Sequence, residues 1–298
     1  MALTPLTAIS PIDGRYHPQT QSLSNYFSEA ALMQYRLKVE VEYLIALSEK
    51  GFCKIPKNKW PQLRALYEQF TEAEAQQIKD IERTTNHDVK AVEYFLKQAL
   101  DQQGLGTVKE WVHFGLTSQD INNTAIPLLW KDAIEREWLP AVLNLQLQLG
   151  KMALQWKNVP MLARTHGQPA SPTRLGKELF VFTERIESQI QQLSYIPYSG
   201  KFGGATGNFN AHVVAFPKTN WHAFADRFLE DKLGIQRQQY TTQIEHYDNL
   251  AAQFDAIKRI HTILIDACRD IWTYISLDYF KQTVKKGEVG SSAMPHKV

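Results

Sequence analysis

The chain is short of cysteine: its 298 residues carry only Cys53 and Cys268, with no Cys-x-x-Cys pair. Two thiols this far apart argue against a disulfide framework and against a thiolate zinc site, and a reducing, cytoplasmic setting is expected. Net charge is scarce too. The 33 basic residues nearly cancel the 31 acidic ones, leaving a formal +2. That balance suits neither a nucleic-acid-coating surface nor an anionic membrane, so neither partner is expected. Long hydrophobic runs are missing. The longest uncharged stretch, residues 202–217, is full of Gly and Asn, and nothing approaches the ~18 apolar residues of a membrane span. The first basic residue is Arg15, and Pro5 and Pro11 interrupt the leading segment, so no signal peptide is expected.

Several chemical signatures are absent as well. No Gly-Lys pair is followed by Ser or Thr, which excludes a P-loop. Gly200, Gly203, Gly204 and Gly207 follow no strand pattern, so the dinucleotide fingerprint fails its context. There is no H-E-x-x-H and no G-x-S-x-G. No metal and no cofactor is expected. If the chain is an enzyme, side-chain acids and bases must carry the chemistry.

What is present is helical periodicity. Tyr26, Ala30, Met33, Leu37, Val41, Leu44 and Leu47 step by three and four, and Gly51 follows as a stop. Thr71 with Glu74 reads as a capping box. Val89, Val92, Leu96 and Ala99 form another stripe. Ile134, Trp138, Val142, Leu145, Leu149, Met152 and Trp156 continue a helix that starts near Ser118 and spans roughly 60 Å at ~1.5 Å per residue, with kinks expected at Pro127 and Pro140. Ser171-Pro172 reads as the N-cap and first residue of a helix with the stripe Leu175, Leu179, Phe182, Ile186, Ile190, Leu193. Phe254, Ile257, His261, Leu264, Cys268, Ile271 and Ile275 mark a last long helix. Strand signals are scarce. An all-α fold follows, with shorter helices in residues 1–111 and an elongated long-helix bundle in residues 112–298.

Four polar clusters sit at the helix junctions. Thr-Thr-Asn-His-Asp (84–88) and Thr-Ser-Gln-Asp (117–120, with Ser118 as N-cap) each read as a helix cap, or as hydrogen-bond donors at a helix N-terminus where an anion binds. Thr-His-Gly-Gln-Pro (165–169) puts His166 in a loop expected to span residues 163–172. Its imidazole is either a backbone-bonded bystander or a proton donor near neutrality. Gly-Ser-Ser-Ala-Met-Pro-His-Lys (290–297) is either a solvated loop or a lid that brings hydroxyls and a lysine onto an anionic substrate.

The last two clusters, with residues 117–120, resemble the three signature regions of the aspartase/fumarase superfamily. The Ser-Ser-Ala-Met-Pro-His-Lys run is similar to that superfamily's flexible loop. Ser-Pro-Ile-Asp-Gly-Arg-Tyr (10–16), the run Ile81 to Phe95 and Tyr-Thr-Thr-Gln-Ile-Glu (240–245) resemble the superfamily's adenylosuccinate-cleaving branch. The resemblance runs from about Ser10 to Val298. It implies a cofactor-free β-elimination of fumarate, from adenylosuccinate to leave AMP and from SAICAR to leave AICAR. It also implies Ser291 as base and His166 as general acid. Thr117, Ser118, Gln243, Ser292 and Lys297 would contact the succinyl part. Arg15 and Tyr16 would hold the nucleotide, and Asn86, His87 and Asp88 would line the same site. Superfamily members are homotetramers whose active sites each draw on three subunits. They also continue beyond the signature loop, so a C-terminal helical domain is expected to be missing from this chain. The competing expectations are a sister lyase releasing fumarate from another substrate, and an inactive helical oligomerising fragment.

Overall fold

The computed structural model describes residues 4–283 and 285–294. Lys297 lies outside these. In chain order the helices are α1 (His17–Thr20), α2 (Ser24–Phe27), α3 (Glu29–Glu49), α4 (Trp60–Glu68), α5 (Glu72–Thr85), α6 (Asp88–Gln102), α7 (Ser118–Ala133), α8 (Leu139–Gln155), α9 (Leu175–Ser194), α10 (Asn210–Ala215), α11 (Trp221–Arg227) and α12 (Asp248–Ser276). The strands are β1 (Pro160–Thr165), β2 (Gln168–Arg174), β3 (Ser199–Gly200) and β4 (Gln236–Arg237). The chain is thus mostly helical, and the all-α expectation gives way at two small sheets. No helix among the described residues is long and apolar enough to cross a membrane.

Packing divides the chain into two units. The first comprises Met1–Ala141 and Pro197–Ala251, the second Val142–Ile196 and Ala252–Val298. This division by contact is a different one from the change in helix length read at Trp111. Helix α7 packs on α3 and so joins the first unit. Nor are the early helices all short: α3 has 21 residues.

Helix α3 is the axis of the first unit. The Ser28 hydroxyl caps it by accepting the Ala31 N–H at 3.1 Å. Leu37, Val39, Val41, Tyr43, Leu44, Ile45 and Leu47 are all fully buried, so the helix is covered on every face and not only along one stripe. The charged residues in its middle, Arg36, Glu40 and Glu42, are buried with it. Arg36 pairs with Asp88 at 2.7 Å, and Glu42 with Arg64 at 2.7 Å. Phe202 and Phe228 meet the Tyr43 ring edge-on at 5.1 and 5.6 Å. The capping box expected at Thr71 is present: the Thr71 N–H donates to Glu74 at 2.8 Å, and the Ala73 N–H to the Thr71 hydroxyl at 3.2 Å. The α6 stripe Val89, Val92, Leu96 and Ala99 is buried.

Pro127 lies inside α7, and the helix passes through a π-helical turn, Ile134–Trp138, before α8 begins. Pro140 has no N–H and would crowd the carbonyl of Arg136. The widened turn holds that carbonyl and absorbs the mismatch.

In the second unit, α9 buries Leu175, Leu179, Phe182, Ile186 and Leu193 as its stripe predicts. The segment before it differs from the expected loop. β1 and β2 pair antiparallel, with Met161 opposite Thr173, Leu162 opposite Pro172 and Thr165 opposite Gln168. Ser171 and Pro172 are thus strand residues, and the N-cap of α9 is Arg174. The reason is the turn: His166 and Gly167 have φ of 53° and 73°. Two successive positive-φ residues make the two-residue hairpin loop whose twist suits antiparallel strands.

Helix α12 buries Gln253, Ala256, Ile257, Ile260, Ile263, Ala267 and Tyr274. Much of the apolar face read from sequence lies beside these positions and stays open, including Phe254 and Cys268. Trp272 on α12 is 71% exposed and Leu154 on α8 66%.

Candidate active site

The N-terminus of α7 is the best-built part of the site. Thr117, not Ser118, is the N-cap, and Ser118 opens the helix. The correction has a physical cause. Asp120 turns back to accept the Thr117 N–H at 2.8 Å, which closes the first turn one residue earlier than the Ser118 reading requires. The Asp120 N–H returns to the Thr117 carbonyl at 2.9 Å, and the turn sits at the positive end of the helix dipole. Gln243, from a segment 126 residues further on, donates through Nε2 to the Thr117 Oγ1 at 3.2 Å. That contact leaves the Thr117 hydroxyl proton for another acceptor. Thr117 and Gln243 therefore meet at the helix start, with Ser118 next in the turn, and donors at such a position are able to hold a carboxylate.

Asp120 is fully buried. Its Oδ1 accepts the N–H groups of Gly203 at 2.8 Å and Gly204 at 3.1 Å, and the Lys201 ammonium lies 2.7 Å away. Lys201 is also fully buried and donates to the Gly204 carbonyl. Burial pulls the Lys201 ammonium below the usual lysine range, and the Asp120 charge opposes that shift. Asn123, one turn further along α7, accepts the Glu245 N–H at 2.8 Å and donates to the Tyr247 hydroxyl. Both loops that face α7 are thus fastened to its first turns. Gly203 and Gly204, two of the glycines that fail the dinucleotide fingerprint, serve this attachment.

Sequence reasoning missed a second layer beneath residues 113–117. His113, at φ 61°, places Nδ1 2.6 Å from Glu40 Oε1 and 3.6 Å from Glu93 Oε1. Lys90 completes the group at 2.6 Å from Glu93. The three ligand-type atoms lie within 4.8 Å of one another, close enough for a metal. However, the 2.6 Å contact is a hydrogen bond, and Lys90 already pairs with Glu93. Burial works to lower the His113 pKa, but the charges of Glu40 and Glu93 and the Glu40 hydrogen bond outweigh it and raise the pKa above the ordinary value. The available signal was three charges, Arg36, Glu40 and Glu42, in a helix that reads as apolar on almost every side.

His212 supports the same loop from the other side. It is fully buried, with Nε2 3.0 Å from the Tyr43 hydroxyl, which itself donates to the Phe114 carbonyl. Nε2 therefore carries the proton, and the buried Nδ1 has no partner among the described residues. Burial lowers the His212 pKa to about 4; Asp120 pulls it up and Lys201 pushes it further down. Between that value and 6.5 the unfolded chain binds a proton that the folded one does not. Stability present above pH 6.5 is therefore lost as pH falls toward 4, by about 3 kcal/mol from this residue. His113 works in the opposite sense: its contribution is complete at low pH and fades as pH rises through its elevated pKa. Denaturation midpoints measured from pH 7 to 4 are expected to fall in the parent and to fall less in His212→Gln.

Gly115 has φ +69°, and a Cβ there would lie 2.7–2.9 Å from three atoms of the His212 ring. Gly115→Ala is expected to cost about 1–3 kcal/mol, read by chemical denaturation.

The remaining expected residues are less gathered. Asn86 ends α5 in the left-handed region at φ 50°. His87 is the N-cap of α6 and accepts the Lys90 N–H through Nδ1 at 3.2 Å, so the capping reading of residues 84–88 holds at that residue. Asp88 is tied to α7 through Arg36, whose Nε donates to Asn122 at 2.8 Å. Desolvation raises the Asp88 pKa, but the Arg36 charge and hydrogen bonds outweigh it and leave it below the ordinary value. Arg15 stacks at 5.7 Å over the Tyr16 ring on an exposed turn of the first unit.

His166, Ser291 and Ser292 belong to the second unit. His166 is exposed at the hairpin tip. Ser291 is half-buried, and its Oγ accepts the Met294 N–H at 3.2 Å. Ser292 is exposed.

Comparison with known proteins adds independent information. Residues 14–298 match the family model described as "Lyase". The chain is 56% identical to adenylosuccinate lyase of Dictyostelium discoideum over 99% of its own length, and 46% identical to adenylosuccinate lyase of Escherichia coli (strain K12) over 100%. It spans 66% of the length of each. Among solved structures, it resembles 3-carboxy-cis,cis-muconate lactonizing enzyme from Pseudomonas putida (TM-score 0.66, 22% identity) and fumarate lyase from Mesorhizobium sp. BNC1 (TM-score 0.67, 20% identity). Each likeness covers 86% of this chain and 56% and 57% of the other chain, respectively. At these identities the two structures share its fold.

Proposed function

Because the chain belongs to the lyase family whose model matches residues 14–298, we propose that it is the larger part of an adenylosuccinate lyase. The observation that carries this reading is identity of 46–56% along essentially the whole chain to enzymes of that name. The full-length protein would release fumarate from adenylosuccinate, leaving AMP, and from SAICAR, leaving AICAR.

The elimination has three requirements. A base removes the proton from the succinyl carbon next to a carboxylate. The resulting carbanion is held as an aci-carboxylate. Its electron pair then forms the double bond of fumarate as the C–N bond breaks and the nitrogen gains a proton. Ser291 is the base in this proposal. A serine hydroxyl is a weak base, and an amide such as that of Met294, which already donates to its Oγ, favours the alkoxide. His166 protonates the leaving nitrogen from its exposed position at the hairpin tip. Thr117, Ser118 and Gln243 at the α7 N-terminus hold a succinyl carboxylate, and Ser292 and Lys297 are assigned to the succinyl part by the same resemblance. Arg15, suited to a bidentate phosphate contact, and Tyr16 hold the nucleotide. Asn86, His87 and Asp88 line the pocket. Binding of the remote phosphate positions the reacting end.

The exposed apolar residues of α8 and α12 support a homotetramer built on these helices; residues 1–111 as an N-terminal domain and 112–298 as a bundle domain rest on the resemblance. A cytoplasmic location belongs to the same reading. The experiment is a substrate panel on the full-length protein: adenylosuccinate, SAICAR, argininosuccinate and malate. Turnover of the first two is expected. Strong activity on either of the others, with none on adenylosuccinate, would replace this reading with a sister lyase.

A further inference from the structure

A helix N-terminus built to hold a carboxylate carries a difficulty of its own here. Asp120, three residues into α7, is a full negative charge in the same turn as Thr117 and Ser118, and it is completely buried. A buried charge is poorly screened and would oppose any anion at the helix end. Three backbone N–H groups and one cation surround it: Thr117, Gly203 and Gly204, and Lys201 at 2.7 Å. Lys201 is itself fully buried, donates also to Gly204 and reaches no solvent. Ammonium and carboxylate therefore cancel in place, and the positive field of the helix end is left for a ligand.

We propose that Lys201 is a positioning residue of the carboxylate-binding end of the site, acting through Asp120: it cancels the charge beneath Thr117 and Ser118 and locks the Asp120 cap that sets their geometry. This rests on the lyase reading, in which Thr117, Ser118 and Gln243 receive a succinyl carboxylate. Burying an ion pair brings little net stability, and an apolar pair could pack there instead. What the pair supplies is a turn capped by a carboxylate, yet electrically neutral toward the anion above it.

The test uses the full-length protein and two variants, with fumarate and AMP as separate inhibitors. Lys201→Met leaves Asp120 uncompensated. It is expected to raise KM for adenylosuccinate and the fumarate inhibition constant at least 10-fold, with the AMP constant within about 3-fold of the parent. Lys201→Met/Asp120→Asn removes both charges and is expected to return fumarate affinity to within about 3-fold of the parent. The double variant leaves no unpaired buried charge, so it decides the matter if the single one fails to fold. Unchanged fumarate affinity in folded Lys201→Met would overturn the proposal. So would a double variant that loses fumarate affinity 10-fold while keeping AMP affinity. If the parent protein binds neither ligand, the lyase reading has failed, a result distinct from either of these.

Discussion

Ser291→Ala is expected to lower fumarate release from adenylosuccinate by about 10²–10⁴-fold, with AMP affinity retained. The expectation follows from the division of labour in the proposed elimination. The proton to be removed is weakly acidic, and the proposed route gives the whole task to side chains. Removing the base leaves only the binding groups and the acid, and the rate falls by the base's own contribution. Ser291 is given no part in holding the nucleotide in this proposal, so ground-state binding of AMP is expected to survive. The Met294 N–H contact adds a refinement. Ser291→Cys keeps an acceptor at that position and offers a more acidic group, so partial activity there with none in Ser291→Ala would fit the base role. Ser291→Ala with activity near the parent would remove Ser291 from the mechanism and leave the fold unaffected.

Asp120→Ala is expected to be the most damaging single change to the first unit, costing about 3–5 kcal/mol of stability. The carboxylate serves two N–H groups of the 203–204 turn, the Thr117 N–H and the Lys201 ammonium. Its removal strands a fully buried cation and uncaps α7 at once. Of a typical 5–15 kcal/mol of stability this is a large share. Equilibrium denaturation with two probes, one on secondary structure and one on the tryptophans, measures it. A loss under 1 kcal/mol would mean that water enters and solvates Lys201, and that the buried pair is not the anchor described here.

How much of this was legible beforehand depended on the kind of signal. Helix stripes such as those of α6 and α9 were readable, because three–four spacing survives whatever packs against it. The α12 stripe was readable as a helix but not as a buried face. Phe254 and Cys268 stay open within the chain, and periodicity does not say which of two adjacent faces an element of the same chain covers. The hairpin at 160–174 was hidden by a plausible cap. Ser-Pro opens helices often, and only the two consecutive positive-φ residues, His166 and Gly167, reveal a strand turn. Thr117 and Ser118 were readable as a cap or as donors for an anion, Gln243 came from resemblance alone, and the contact between Gln243 and Thr117 is a tertiary fact that local spacing does not encode. The buried ions were least visible. Lys201 sits in a run of glycines that resembles a solvated loop, and Glu40 and His113 are 73 residues apart. A lone lysine or histidine in sequence carries no sign of the carboxylate that neutralises it.

The central claim is a cofactor-free elimination, and product stoichiometry tests it most directly. Full-length protein is incubated with adenylosuccinate in the presence of a metal chelator and no added cofactor, and fumarate and AMP are quantified together. Equal amounts of both, formed catalytically, are predicted. Absence of fumarate from a folded, assembled protein, or turnover that stops with the chelator, would contradict it.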